Sequence, residues 1–230
     1  MDSKELLDLI KNKKQTILSV LILFFIITII ITAIQPFKYG SVSRLLVVQN
    51  FPAGTDPYAI SKSNEYLSAI LAKVVTSNLF YSDIMSAGFN IDKNYFTQKG
   101  EGKKEMKKWE ETASARALSD TGIIEIQVFH PNREQLAQIS QAINYVLKTK
   151  NNIYHGGGNN VDVKVIDKPI ISSWPVKPNI FLNFFLALIF SLIIAFSYIY
   201  LFPDEKYNIK LWPKKRRTLI KKEQVFEDKN

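Results

Sequence analysis

Few side chains in this sequence have the types and spacing to do chemistry. His130 closes an alternating apolar segment and His155 lies in a polar one; neither has a second ligand at metal-binding spacing, and both are expected at the surface. Glu110 and Glu111 are adjacent, so on the strand predicted for residues 110–118 they point to opposite faces and make a poor acid/base pair. Cysteine is absent, which removes thiolate metal sites, a Cys nucleophile and a disulfide framework. Gly156, Gly157 and Gly158 fall in a connector, residues 151–160, with no helix start behind it, so they read as flexible chain rather than a phosphate cradle. No catalytic residue, metal or cofactor is expected, and the chain is read as a non-enzyme. Lys103, Lys104, Lys107 and Lys108 stack at i,i+4 on a short predicted helix with Trp109 adjacent. Such a row could contact an acidic glycan, although a solvated basic face is the plainer reading.

What must position these residues is decided by where the apolar side chains fall. They make up 47% of the 230 residues, a globular fraction, but residues 16–34 form a run without an ionisable side chain, broken only by Thr16, Ser19, Thr28 and Thr32. At a helical rise of about 1.5 Å per residue it nearly crosses a hydrocarbon core of about 30 Å. Residues 180–202 form a second uncharged run, slightly longer and able to span with some tilt. A charge at either centre would cost roughly 2.5–3.5 kcal/mol, and neither run has one. The first run follows a short basic segment, as a cleaved signal peptide would. Its core exceeds the usual length of roughly 7–15 apolar residues, however, and no small-x-small site follows, so it reads as an uncleaved anchor.

Flanking cations orient the two runs. Lys11, Lys13 and Lys14 precede the first, and Lys206, Lys210, Lys214, Lys215, Arg216, Arg217, Lys221 and Lys222 follow the second, whereas the inner flanks carry only Lys38, Arg44, Lys164, Lys168 and Lys177. The positive-inside rule predicts a multi-pass protein of the plasma (inner) membrane, with residues 1–15 and the basic tail 203–230 cytoplasmic and residues 35–179 outside. The net charge of +9 is then a topology signal, and nucleic acid is not an expected partner. Membrane lipid accounts for the cluster Lys214, Lys215, Arg216 and Arg217, since each cation near an anionic leaflet contributes about 1 kcal/mol; docking of a partner is the alternative. In the second run Asn183, Ala187, Ser191 and Ala195 recur every fourth residue, a stripe that would let helices approach closely.

Between the runs, residues 39–50 read as a strand, and Asp56-Pro57 starts a helix carrying Ile60, Leu67, Leu71, Val74 and Asn78 on one face, continuing to about residue 80 with further turns to 87. Residues 90–102 show no pattern. After the lysine helix, residues 110–118 and 123–130 alternate around Ser119-Asp120-Thr121-Gly122 and predict a hairpin. Asn132 with Gln135 resembles a capping box ahead of a helix whose stripe is Leu136, Ile139, Ile143, Val146 and Leu147. Val161, Val163 and Val165 form a last strand. The order β-α-β-β-α-β is that of a ferredoxin-like domain. The expected fold class is therefore membrane α+β, two transmembrane helices flanking that extracytoplasmic domain, with its first and last strands lying centrally and running into the helices.

A proline-punctuated segment joins the last strand to the second apolar run: Val165-Ile166-Asp167-Lys168-Pro169, then Ser172-Ser173-Trp174-Pro175 and Val176-Lys177-Pro178-Asn179. Pro169, Pro175 and Pro178 donate no backbone hydrogen bond and bias their predecessors to extended geometry, which predicts a stiff strut. This segment resembles that of the polysaccharide chain-length determinant family, the Wzz type, and of its co-polymerase and capsular kinase-adaptor relatives. The resemblance extends over most of the chain through the N-terminal anchor, the strand after it, Asp56-Pro57-Tyr58, the strand Thr121-Gly122-Ile123-Ile124-Glu125-Ile126 and the helix at residues 136–147. It implies a homo-oligomeric scaffold that regulates the length or export of a surface polysaccharide, with a polysaccharide polymerase or the glycan as partner. Residues 87–108 leave room only for a short version of the long helical arm of larger members. The tail lacks G-x-x-x-x-G-K-[ST], so in the alternative reading, a kinase adaptor, the tyrosine kinase is a separate protein. A pilus or secretion inner-membrane component is a further alternative, which the second apolar run and the proline segment disfavour.

Overall fold

The computed structural model describes residues 11–97, 102–156, 160–204 and 208–209. The cluster Lys214, Lys215, Arg216 and Arg217 lies outside the described residues, as do Gly157 and Gly158. In chain order the elements are α1 (Lys14–Ile34), β1 (Tyr39–Gln49), α2 (Pro57–Val74), α3 (Asn78–Ser86), α4 (Asn94–Thr97), α5 (Lys103–Thr112), β2 (Ala113–Leu118), β3 (Ile123–His130), α6 (Arg133–His155), β4 (Val161–Ile171) and α7 (Ile180–Leu201). They fall into two units, Gln35–Asn179 and the remainder, which holds the two apolar helices.

In the first unit all strand pairs are antiparallel and the sheet order is β2-β3-β1-β4, so the chain is α+β. Period-two alternation sends Leu45, Val47, Ile124, Ile126, Val128, Val161 and Val163 to one face, where they are buried against α2 and α6. The expected start signals operate. Asp56 Oδ1 accepts from the Tyr58 N–H at 3.3 Å with Pro57 in the first turn, and Asn132 Oδ1 accepts from Glu134 N and Gln135 N at 2.7 and 3.1 Å. Gln135 does not complete a capping box; its side chain accepts from Asp92 N and donates to Asn90 O, holding the stretch that had no readable pattern. In the hairpin turn Gly122 has φ +67°, and a Cβ there would meet Asn64 and the Val47 carbonyl at 3.1 and 3.2 Å.

Four expectations are corrected. The helix after Pro57 is two helices, because Ser77 Oγ caps a new one at Phe80 N and the Trp109 indole N–H takes the Val75 carbonyl that an uninterrupted helix would have used. The strand expected from residue 110 begins at Ala113, since Trp109 and Thr112 are the buried face of a last helical turn of α5; Glu110 and Glu111 are therefore helical and exposed. Residues 151–155, expected in a connector, complete α6, which ends at Gly156 with φ +67°. Finally β4 is an edge strand, not a central one. It continues through Pro169 to Ile171, and its register against β1 slips twice, between Val42 and Arg44 and between Arg44 and Leu45. Proline is tolerated in a strand at such an irregular edge.

The proline segment does not stand free as a strut. Ser172 N donates to Gly40 O at 2.8 Å, Val176 N to Lys38 O at 2.8 Å, and Lys38 N to Lys177 O at 3.0 Å, so it runs along the start of β1. A Cβ on Gly40 would lie 2.8 Å from Val176 Cγ2 and 3.3 Å from the Phe129 ring, so any larger residue requires Val176 to move.

In the second unit α1 and α7 are each long and apolar enough to cross a membrane. They pack antiparallel: Asn183 Nδ2 donates to Thr32 Oγ1 at 3.2 Å near one end, and the Lys13 ammonium donates to the Phe202 and Asp204 carbonyls at 2.6 and 3.0 Å at the other. Thr16, Ser19, Val20 and Thr32 are buried on α1, as are Ala187, Ser191, Ala195 and Ile199 on α7.

Gly40→Val is expected to push residues 172–177 off β1 and to destabilise the sheet domain by about 1–3 kcal/mol. Amide exchange at Lys38 and Val176 should rise first; unchanged protection there would refute the packing role of Gly40.

Candidate functional site

The residues singled out from sequence do not converge on one place. On α5, Lys103, Lys104 and Lys107 are exposed, and the Lys108 ammonium lies 4.5 Å from the Tyr95 ring centre. Lys104, Lys107 and Lys108 share a cleft of about 190 Å³ with Glu111. Trp109, expected to lie beside them as a glycan contact, is instead fully buried. Its ring packs 5.3 Å from Tyr81 and 5.8 Å from Phe96, so it fixes α5 to the core and is not part of the exposed lysine row. Burying an indole is stable here because its one N–H is satisfied at the Val75 carbonyl.

The histidines also differ from expectation. His130 is buried, with Tyr95 edge-on at 4.2 Å and the Asn132 N–H donating to Nδ1 at 3.0 Å. Burial pushes its pKa down, with the nearby Lys108 and Lys38 charges acting the same way. His155 closes α6, half-buried, with Nε2 2.9 Å from Asn151 Oδ1. Among the described residues no group of three or more His, Asp or Glu could hold a metal ion.

Sequence reasoning missed the uncovered face of the sheet. At its centre Glu125, 5% exposed, accepts from Arg44 through Oε2 at 2.9 and 3.1 Å and from Arg116 through Oε1 at 2.8 and 3.1 Å. Gln127 Nε2 adds a bond at 3.2 Å, and Arg44 reaches Asp167 at 3.3 Å. The Arg44 hydrogen bond, with that of Arg116 next, holds the Glu125 carboxyl below the usual carboxylate range despite burial. The rungs Arg44↔Glu125 and Arg116↔Glu125 place these groups side by side. Their strand parity is readable in the sequence, but the cross-strand register that joins them is not. Beside the network lies an open cleft of about 510 Å³ whose apolar walls are Val42, Phe129, Ile170 and Val176.

Of the proline set, Pro169 lines a second cleft, of about 450 Å³, against α6, whereas Pro175, Pro178 and Asn179 lie in the segment tied to β1. The Lys177–Pro178 bond is cis. The stripe of α7 meets α1, through Asn183 at Thr32 and through the buried Ala187, Ser191 and Ala195.

Because the folded Glu125 pKa is depressed, its ion pairs stabilise the fold above the ordinary carboxylate pKa of about 4.3 and are lost as pH falls through the lower folded value. Glu125→Gln is therefore expected to cost about 1–2 kcal/mol near neutral pH, discounted for the exposure of both arginines. The gap to the parent should close in acid; denaturant midpoints at pH 7 and pH 3 measure it, and an equal gap at both would refute the assignment. Compared with known proteins, the chain matches no family model, and no curated protein matches it in sequence.

Proposed function

We propose that the chain is a non-enzymatic membrane scaffold, a chain-length determinant or co-polymerase of the Wzz type, that assembles into a homo-oligomer and regulates the length or export of a surface polysaccharide. One observation carries the reading. Two helices long enough to span a bilayer connect through residues 35–38 and 172–179 to β1 and β4, adjacent strands of a single sheet. Such a layout anchors one domain at both chain ends and fixes its orientation, so that lateral contacts between copies can close into a ring. Sheet order β4-β1-β3-β2 with helices on one face supports a ferredoxin-like domain. The insertion α3–α5 folds back onto the core, which supports a short arm in place of a long one. Antiparallel packing of α1 and α7 with Lys13 at their shared end agrees with both termini lying on the basic, cytoplasmic side.

The work of such a protein is positional. Lys103, Lys104 and Lys107 offer an acidic glycan a cationic row, and the separate polymerase or the growing polymer is the partner. Deleting the gene is expected to change the length distribution of surface polysaccharide on a gel, and an unaltered ladder would count against the proposal. A phosphatase reporter inserted in the exposed loop at Gly54 should be active only outside the cytoplasm; a cytosolic reporter active at that site would sink the topology.

A further inference from the structure

The first rung of the sheet, Tyr39 opposite His130, gathers cations and rings at one end of the domain. The Lys108 ammonium stands over Tyr95, which packs on His130. The Arg133 guanidinium lies 5.5 Å from the Tyr39 ring centre, and the Lys177 ammonium 3.6 Å from that of Phe129. Lys38 is bonded through its backbone to Val176 and Lys177, and its charge, with that of Lys108, acts on His130. Lys104 and Lys107 extend the patch along the cleft they share with Lys108. Six cations, Lys38, Lys104, Lys107, Lys108, Arg133 and Lys177, thus gather here, with the carboxylates of Asp92 and Glu111 close enough to act on His130 and Lys177.

Two large side chains project beside them, Trp174 at 82% and Phe37 at 52% exposure. Neither belongs to a loose loop, because the backbone bonds of Ser172, Val176 and Lys38 hold both flanking segments to the sheet. Aromatic rings next to Lys and Arg are the composition of a surface that meets a lipid headgroup layer. Covalent connection leads the same way. Phe37 is three residues past Ile34 and Trp174 six before Ile180, so only a short length of chain joins either to an apolar run.

We propose that this end of the domain is a membrane-surface binding face, with Trp174 and Phe37 seated in the headgroup layer and Lys38, Lys108, Arg133 and Lys177 engaging anionic lipid headgroups. The inference rests on α1 and α7 spanning the bilayer. It adds that the domain lies on the lipid instead of standing clear of it.

The test compares the full chain with its Trp174→Phe variant in vesicles of phosphatidylcholine, with and without phosphatidylglycerol, using lipids brominated near the top of the acyl chains. The Trp174 emission, read as the difference between the two proteins, is expected to fall about twofold with brominated lipid, and further when phosphatidylglycerol is present. Vesicle flotation after an alkaline wash reports insertion of the helices separately. An inserted chain whose Trp174 emission ignores the bromine overturns this inference and leaves the spanning reading standing; a chain that washes off overturns both. Equal quenching in the two lipid mixtures overturns the role given to the cations. Emission indifferent to lipid but altered by a soluble acidic polysaccharide assigns the face to glycan and overturns the proposal.

Discussion

Every part of the sheet domain is referred to β1, because it alone among the strands tied to the chain ends must satisfy hydrogen bonds on both sides. β3 pairs along one edge from Tyr39 to Leu46 and β4 along the other from Ser41 to Gln49. Its inward side chains Leu45 and Val47 are fully buried, and Ser43 hydrogen-bonds Asn144 of α6 at 3.0 Å inside the core. A buried hydroxyl facing an amide costs free energy unless the pair is made, so this contact also sets the position of α6 over the sheet. At the far end Gln49 N takes Asn64 Oδ1 of α2 and Asn50 N takes the Asn160 carbonyl. The segments leading to both apolar helices are then bonded to the near end of the same strand.

The two faces of the sheet solve different problems. One is closed by α2 and α6 with aliphatic side chains, the usual solution for a half-buried antiparallel sheet. The other stays uncovered, yet it holds a nearly buried carboxylate, which is stable only because two guanidinium groups and an amide fill its acceptor sites. That arrangement orders β1, β2 and β3 laterally at their middle rungs. Toward the chain ends the same face turns apolar at Val42, Phe129, Ile170 and Val176.

The insertion between α2 and β2 owes its compactness to aromatic packing. Phe80, Tyr81, Phe96 and Trp109 are buried together, Tyr81 donates to Glu105 at 2.6 Å, and Asp83 joins α3 to α6 through Lys150 and Tyr154. With Trp109 and Thr112 turned to the core, the outward face of α5 is left to its lysines and glutamates.

Local pattern in the sequence determined the elements whose signals are local. The two uncharged runs, the Asp56-Pro57 and Asn132 helix starts, the 119–122 turn and the α6 stripe each depend on residues within a few positions of one another. The failures were of another kind. Trp109 resembled an exposed neighbour of lysines until Val75, 34 positions away, supplied the acceptor for its indole. Glu125 read as one residue of an alternating strand, because Arg44 and Arg116 come beside it only through pairing register. Pro169 suggested a strut because nothing local says that β4 lies at the edge, where a missing donor is harmless. Periodicity and capping are properties of neighbouring residues. Burial, register and strand order are properties of pairs brought together by chain closure, and only the tertiary structure decided those.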